Sequence, residues 1–316
     1  MSGNREMTKK ITILSLLLPQ WNPLQVFPVL PMFKGYLTHH DLDVKTVDAN
    51  IRFYRWLLSA DFLQLLEPHI SSYVKENPVT GQHRAAIDHL QTVITEPEQT
   101  FDLIYSIRRK EVFEDERQRN RILNVWEKYL SSISVFFPPM QLSYRGLKFD
   151  LPKHPEAIIN YCQAEKGNLF RLFYSHVLFD QIADFAPDVI TLSIISNEQL
   201  LPSLTFCHLI KRLLPQVHLC VGAPLLVEHF KSGLGFEQLL PQEIDSLVIG
   251  YHFEPFLELL RALEHHRPIP DHPYLLRNLE QEQHKLMAWE AAFPENGYPK
   301  DYSDLDLADY FHYSPL

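Results

Sequence analysis

Short, mostly apolar runs, most of them followed by a helical pattern, constrain the fold of this 316-residue chain more than any other feature. Apolar runs of about 4–8 residues are typical of strands that are buried on both faces of a parallel sheet. Their alternation with helices predicts right-handed strand–helix–strand units and a sheet that helices cover on both faces. The predicted strands are Ile11–Leu18, Val44–Val47, Val189–Ile195, Val217–Val221 and Leu247–Ile249.

The spacing of apolar residues divides the chain into three parts. Helical spacing follows the first, third and fifth runs, and it is the only periodicity between the second and third runs. We therefore predict a five-stranded, parallel, doubly wound sheet of the Rossmann or flavodoxin type over residues 9–51 and 186–266. A helical insertion is predicted over residues 52–185. Residues 267–316 are polar and rich in proline, which indicates a linker or an arm.

The counts of glycine and cysteine exclude several kinds of site. The chain has only 10 glycines, and it contains neither a G-x-G-x-x-G fingerprint nor a G-x-x-x-x-G-K-[ST] phosphate loop. Its three cysteines, at 162, 207 and 220, are too few and too far apart for a zinc ribbon or a four-thiolate iron–sulfur cluster. Cys207 lies in a helical pattern and Cys220 in a strand, so we expect both thiols to be core residues.

Charge and hydropathy give expectations about partners and location. The chain carries 39 acidic and 29 basic residues, a formal charge of −10, and no basic block, so we expect neither nucleic acid nor a membrane as a partner. The run after Lys9 and Lys10 is too short for a bilayer span and has no small-residue cleavage site, which favours a strand over a signal peptide. Unpaired cysteines in apolar surroundings fit a reducing compartment, and we expect a cytoplasmic protein.

The ends of the predicted strands indicate where a ligand would bind. Open parallel sheets bind ligands beyond the carboxyl ends of their strands, near the point where the strand order reverses. These ends carry amides, hydroxyls, aromatic rings and small residues, which favour a large, mostly apolar ligand over a phosphate-rich one and predict no catalytic acid or base. The candidate residues are Pro19, Gln20, Trp21, Asn22, Asn50, Ser193, Ser196, Asn197, Gln199, Gly222, Ala223, Pro224, Gly250, Tyr251, His252 and Glu254.

Each candidate also has a structural interpretation. Trp21 can cap the first strand as a core aromatic, and Asn50 can belong to a cap after the second strand. Gly222 and Gly250 can serve only as turns at strand ends. His252 can be a packing or surface residue rather than a metal ligand. The sequence leaves these alternatives open.

Eight stretches of the chain share their order and spacing with a known family. They resemble the N-terminal part of cobalamin-binding radical SAM proteins, including the C-methyltransferases that mature ribosomal peptides. The similarity covers nearly the whole chain, helical insertion included. The matching stretches are Leu14–Pro23 (LSLLLPQWNP), Val47–Leu58 (VDANIRFYRWLL), Met140–Phe149 (MQLSYRGLKF), Pro187–Ser193 (PDVITLS), Gln199–Leu204 (QLLPSL), Val221–Ala223 (VGA), Val248–Leu260 (VIGYHFEPFLELL) and Asp301–Phe311 (DYSDLDLADYF).

The resemblance implies a cobalamin-binding sheet and a particular way of holding the cofactor. The D-x-H-x-x-G motif of classical cobalamin domains is absent, which implies base-off cobalamin without a histidine ligand. Gln20 or Trp21 would then face the lower side of the corrin. Small residues would admit the nucleotide tail, and hydroxyls and an amide would bind its polar groups. The small residues are Gly222, Ala223 and Gly250, and the polar residues are Ser193, Ser196 and Asn197.

Two departures from the family pattern limit the expected activity. The C-x-x-x-C-x-x-C cluster motif is absent, so we expect no [4Fe–4S] cluster in this chain. The acidic, glycine-rich turn common after the last strand is replaced here by residues 250–254. We therefore expect the cobalamin half of a methyltransferase-like system whose radical SAM module is a separate protein or another segment of a longer enzyme. The alternatives are a cobalamin carrier or sensor, and a ligand-free scaffold that binds other proteins.

Overall fold

The computed structural model describes residues 10–150, 155–222, 243–250, 253–277, 281–282, 284–285 and 299–312. Its strands are β1 (Ile13–Leu17), β2 (Val44–Asp48), β3 (Met140–Ser143), β4 (Gly146–Phe149), β5 (Val189–Ser193), β6 (His218–Gly222), β7 (Ser246–Val248) and β8 (Leu275–Leu276). Its helices are α1 (Val29–His39), α2 (Ala49–Leu57), α3 (Ala60–Glu76), α4 (Gly81–Thr95), α5 (Pro97–Tyr105), α6 (Lys110–Glu114), α7 (Glu116–Ser134), α8 (Pro155–Gln163), α9 (Leu169–Phe173), α10 (Phe179–Phe185), α11 (Asn197–Leu213) and α12 (Glu254–Glu264).

The protein is an α/β structure with one mostly parallel sheet, as the apolar runs predicted. The sheet has six strands in the order β2-β1-β5-β6-β7-β8. The first five in this order are parallel to their neighbours, and β8 pairs with β7 in the antiparallel direction. The prediction of five strands therefore missed β8. That strand has only two residues, too few for a periodicity to show.

Helices cover both faces of this sheet, which explains why its central strands are mostly apolar. All five residues of β1 are buried. Ile13 and Val44 pack in one cluster with apolar residues of α1 and α12. Leu14 and Leu16 point the other way, into the larger cluster that includes residues of α2 and α11. Successive side chains of a strand alternate between faces, so both sets have to be apolar here.

The insertion between β2 and β5 is mostly helical, as predicted, and it contains one element that the periodicity did not reveal. Helices α3 to α10 build this region around a core with buried aromatic rings such as Trp126 and Phe137. Strands β3 and β4 form a two-stranded antiparallel hairpin that packs on α7. Each hairpin strand has four residues, which is too short for its alternation to stand out. None of the helices in the described ranges combines the length and apolarity needed to cross a bilayer.

Residues 299–312, which we call the C-terminal strap, pack against the sheet and the insertion. Asp304 lies 2.7 Å from Lys34 Nζ on α1 and accepts a hydrogen bond of 2.8 Å from the backbone N–H of Thr46. Thr46 belongs to β2, the edge strand, so the strap occupies a hydrogen-bonding edge that would otherwise be open. Tyr310 and Phe311 are buried. The described end of the predicted linker or arm, residues 299–312, therefore packs against the rest of the protein.

Candidate functional site

The strand order reverses beside β1, and this places the candidate site. From β1 the chain passes through α1 to β2 on one side, and it later returns to β5 on the other side. The carboxyl ends of β1 and β5 therefore flank the switch point at which open α/β sheets bind ligands. We call the two segments beyond these ends the rim: residues 18–23 after β1 and residues 194–199 after β5.

Four polar side-chain atoms at or just below the rim are buried and have no hydrogen-bond partner among the described residues. They are Gln20 Nε2, Trp21 Nε1, Thr191 Oγ1 and Ser196 Oγ. Gln20 is 1% exposed and Thr191 is 2% exposed, so water does not reach these two side chains from the surface. A buried polar group without a partner costs about 1–3 kcal/mol. A ligand at the rim that offers both donors and acceptors would remove this cost at the Gln20, Trp21 and Ser196 atoms, whereas Thr191 lies in the middle of β5.

Tyr54 fixes the side chain of Gln20 and links it to the hairpin. The Tyr54 hydroxyl lies 2.6 Å from Gln20 Oε1 and 3.0 Å from the backbone oxygen of Ser143. Burial, with the charge of Glu127 adding to it, raises the pKa of Tyr54 well above its usual value, so this hydroxyl keeps its proton. The single hydroxyl proton cannot serve both acceptors fully, and the Nε2 atom of Gln20 has no hydrogen-bond partner in the part of the chain that the structure describes.

The side-chain amides of three predicted site residues form hydrogen bonds within the protein, and these bonds shape the rim. The Asn50 Oδ1 atom accepts a hydrogen bond of 2.8 Å from the backbone N–H of Trp21. Gln199 joins the two halves of the rim, because its Oε1 accepts from Ile195 N (3.1 Å) and its Nε2 donates to Leu18 O (3.2 Å).

Asn22 has a local role, since its Oδ1 accepts a hydrogen bond of 2.9 Å from Leu24 N. Ligand contact by Asn22, Asn50 or Gln199 stays a prediction.

The two predicted glycines have clear local reasons for lacking a side chain. A Cβ atom on Gly222 would lie 2.9 Å from the ring of Phe256 and 3.4 Å from Ser193 Oγ. Gly250 has a φ of 81°, in the left-handed region that favours glycine. The Phe256 ring fills the space above Gly222, so a cofactor tail at this point would require that ring to move.

A small cavity lies beside Gly222, between the sheet and the helices α1 and α12. Its volume is about 20 Å³, and its lining includes Ser15, Thr191, Ser193, Phe253 and Phe256. This volume is enough for one water molecule and not for a larger group. The hydroxyls of Ser15, Thr191 and Ser193 make its sheet side polar, while the two rings make its helix side apolar.

The remaining predicted residues take up ordinary positions or lie outside the described residues. Pro19 is buried within the rim, Asn197 begins α11, and Glu254 begins α12 with an exposed side chain. The four others, Ala223, Pro224, Tyr251 and His252, lie outside the described residues, so their roles stay predictions.

Sequence reasoning missed an open cleft of about 1030 Å³ that adjoins the rim. It lies between α7, the β3–β4 hairpin and the first turn of α11. Ser143 connects the two sites, because its hydroxyl donates to Glu127 Oε2 (2.9 Å) and its backbone oxygen faces Tyr54. The polar lining includes Asn124, Glu127, Gln141, Arg145, Lys148 and Glu198. No motif brings these residues together in the sequence, since they come from three separate elements.

The cysteines are core residues, as predicted for Cys207 and Cys220. All three are buried and unpaired, and burial raises the pKa of the Cys162 and Cys220 thiols to about 12. Thiols with such values are protonated near pH 7 and are poor nucleophiles. Within the described residues, no group of three or more histidine, cysteine, aspartate or glutamate side chains is placed to hold a metal ion.

No family model, curated protein or solved structure matches this chain.

Proposed function

We propose that this protein binds base-off cobalamin at the rim and serves as the cobalamin half of a radical SAM methyltransferase-like system. The radical SAM module would be supplied by another protein or segment. The observation that carries the proposal is a set of three buried polar atoms in the two rim segments that have no hydrogen-bond partner among the described residues. They belong to Gln20, Trp21 and Ser196, which were all predicted from the sequence as contacts of the cofactor.

The chemistry of these atoms fits the periphery of a corrin. Cobalamin carries carboxamide side chains, and each of these can donate and accept hydrogen bonds. The Gln20 amide, the Trp21 indole N–H and the Ser196 hydroxyl offer the matching groups. The order of the five parallel strands, β2-β1-β5-β6-β7, supports the proposal, because open α/β sheets bind ligands at the point where the strand order reverses.

The first rim segment also fits a cofactor without a histidine ligand. Residues 18–23 read Leu-Pro-Gln-Trp-Asn-Pro, so this segment offers amides and an indole ring but no imidazole. The role of these residues would be to bind and orient the corrin. Bound cobalamin would supply the cobalt centre at which a methyl group is transferred.

Retention of cobalamin by the purified protein tests the proposal. The protein is incubated with hydroxocobalamin and desalted, and its visible spectrum is recorded. We expect about one equivalent of retained cobalamin per chain with a base-off spectrum. A protein that emerges without cobalamin would contradict the proposal and favour the ligand-free scaffold. A retained base-on spectrum would contradict the proposed binding mode.

A matched pair of serine variants tests the site. Ser196 and Ser203 both bury a hydroxyl that has no partner among the described residues, but Ser203 lies two helical turns further along α11. Ser196→Ala is expected to raise the Kd for cobalamin by about 3- to 10-fold, the effect of one hydrogen bond. Ser203→Ala should leave the Kd unchanged. Titration of each protein with cobalamin measures both values, and equal effects would exclude the assignment of Ser196.

A second pair of variants tests whether Thr191 is unpartnered in the free protein. Thr191→Val removes a buried hydroxyl that has no hydrogen-bond partner among the described residues, so we expect the free energy of unfolding to rise by about 1 kcal/mol.

The control for this variant is Thr205→Val. The Thr205 hydroxyl is equally buried, but it accepts from Asn168 Nδ2 (3.1 Å) and donates to Leu201 O (2.9 Å). Thr205→Val should lower the free energy of unfolding by about 1–3 kcal/mol, because Asn168 loses its acceptor. Urea unfolding gives both numbers. If the two variants lose stability alike, Thr191 has a partner.

A further inference from the structure

We infer that the C-terminal strap (residues 299–312) positions the first rim segment, residues 18–23, and thereby shapes the ligand site. The strap contacts this segment directly in one place and supports it indirectly in two others. The positioning of the segment is a property of the protein alone. Its effect on cobalamin affinity rests on the proposed function.

The strap is anchored before it reaches the rim. Asp304 binds Lys34 Nζ (2.7 Å), Lys45 Nζ (3.0 Å) and the backbone N–H of Thr46 (2.8 Å), which fixes it to α1 and to the edge strand β2. The backbone oxygen of Pro299 lies so close to Gly35 that a Cβ atom there would be 1.7 Å from it. The early part of the strap is therefore held against two elements of the sheet domain.

One contact joins the strap directly to the rim, and a second link runs through a shared apolar cluster. Leu305 and Trp21 both pack against the cluster that includes Phe27, and the ring centroids of Trp21 and Phe27 lie 4.9 Å apart. Near the end of the described strap, the backbone N–H of Phe311 donates to Pro23 O (3.1 Å). The strap thus supports the first rim segment at Trp21 and at Pro23.

A third contact reaches the rim through a buried carboxyl group. The Tyr310 hydroxyl donates to Asp48 Oδ2 (2.5 Å), and Asp48 Oδ1 accepts from Ile51 N (2.9 Å) as the N-cap of α2. Asn50, in the first turn of that helix, accepts from Trp21 N (2.8 Å). The Tyr310 hydroxyl therefore fixes the Asp48 carboxyl group, which caps the first turn of α2. Asn50, in that same turn, fixes the backbone of Trp21.

The test removes one hydroxyl group and leaves the ring in place. Tyr310→Phe is compared with Tyr129→Phe, because the Tyr129 hydroxyl is also buried and donates to a backbone oxygen, Leu57 O (2.6 Å). The fluorescence of Trp21 is obtained by subtraction: the emission of each protein with the additional substitution Trp21→Phe is subtracted from the emission of the same protein with Trp21 in place. Acrylamide quenching of this emission reports the exposure of the rim in the free protein.

We expect Tyr310→Phe to increase quenching of Trp21 and to raise the Kd for cobalamin by about tenfold, equivalent to the loss of one strong hydrogen bond. Tyr129→Phe should change neither value, although it also loses a buried hydrogen bond. Equal effects of the two variants, or no effect of Tyr310→Phe on Trp21, would overturn the inference. If the unsubstituted protein binds no cobalamin, the proposed function fails, and the Trp21 measurement alone decides the inference.

Discussion

Phe311→Ala is expected to lower the free energy of unfolding by about 3–5 kcal/mol, the usual cost of truncating a buried phenylalanine. The ring is fully buried although it lies in a segment without regular structure. It packs 4.6 Å from the Trp126 ring and stacks on Tyr105 at 5.4 Å. The guanidinium of Arg108 lies 4.9 Å from its centroid, which adds a cation–π contact.

Phe185→Ala is the control for this measurement. Phe185 is 38% exposed at the end of α10, so its truncation should cost less than about 1 kcal/mol. Urea unfolding of both variants measures the difference. If the strap were a free linker, Phe311→Ala would be as neutral as Phe185→Ala, and an equal result would contradict the packing of the strap.

The central part of this fold was predictable because burial leaves a signature in the sequence. Strands covered on both faces are mostly apolar along their whole length, and β1 and β5 are recognised on that basis. Amphipathic helices leave an equally clear pattern, and α11 and α12 follow the third and fifth apolar runs as the helical spacing predicted. The hairpin and β8 were missed, since strands of two to four residues are shorter than any period that could reveal them.

The strap could not be predicted, because its partners are remote in the sequence. Tyr310 bonds to Asp48, 262 residues away, and Asp304 bonds to Thr46, 258 residues away. Its buried residues come from irregular spacing, since Leu305, Tyr310 and Phe311 follow neither a strand nor a helix pattern. The packing of these side chains becomes apparent only once the sheet and the insertion, against which they lie, are folded.

The candidate site was predictable in place but not in detail. Open parallel sheets bind ligands beyond the carboxyl ends of their strands, and this rule predicts Gln20 and Gln199 equally as ligand contacts. The structure separates the two, because the Gln199 amide bonds to Ile195 and Leu18, whereas the buried Gln20 Nε2 atom has no hydrogen-bond partner within the described ranges. Residue type alone does not show whether a side-chain amide will bond to the protein backbone or be left for a ligand. That depends on which backbone groups the fold brings within hydrogen-bonding distance of it.

Asp48→Asn is expected to remove a pH dependence of stability of about 3 kcal/mol between pH 4 and pH 7. Burial raises the pKa of Asp48 from 3.8 to about 6, although hydrogen bonds from Tyr310 and from the backbone of Ile51 and Asn50, and the charge of Arg52, act to lower it. A difference of about two pKa units corresponds to about 3 kcal/mol.

The sign follows from proton binding. Between pH 4 and pH 6 the folded protein holds a proton on Asp48 that the unfolded chain has lost, so this stabilisation is complete below pH 4 and is lost as the pH rises through about 6. Asparagine copies the protonated group and keeps its ability to cap α2. The stability of Asp48→Asn relative to the unsubstituted protein should therefore increase by about 3 kcal/mol from pH 4 to pH 7.

Asp304→Asn is the control, because its titration has the opposite direction and lies at lower pH. Burial acts to raise the pKa of Asp304, but hydrogen bonds from Lys34, the Thr46 backbone and Lys45 outweigh it and lower the pKa to about 2. This carboxylate is ionised in both states above about pH 5, so the difference between Asp304→Asn and the unsubstituted protein should stay level from pH 5 to pH 7. Urea unfolding at several pH values measures both differences. A level difference for Asp48→Asn would show that its carboxyl group is not held in a dry environment, and the Tyr310 contact would then lack its buried acceptor.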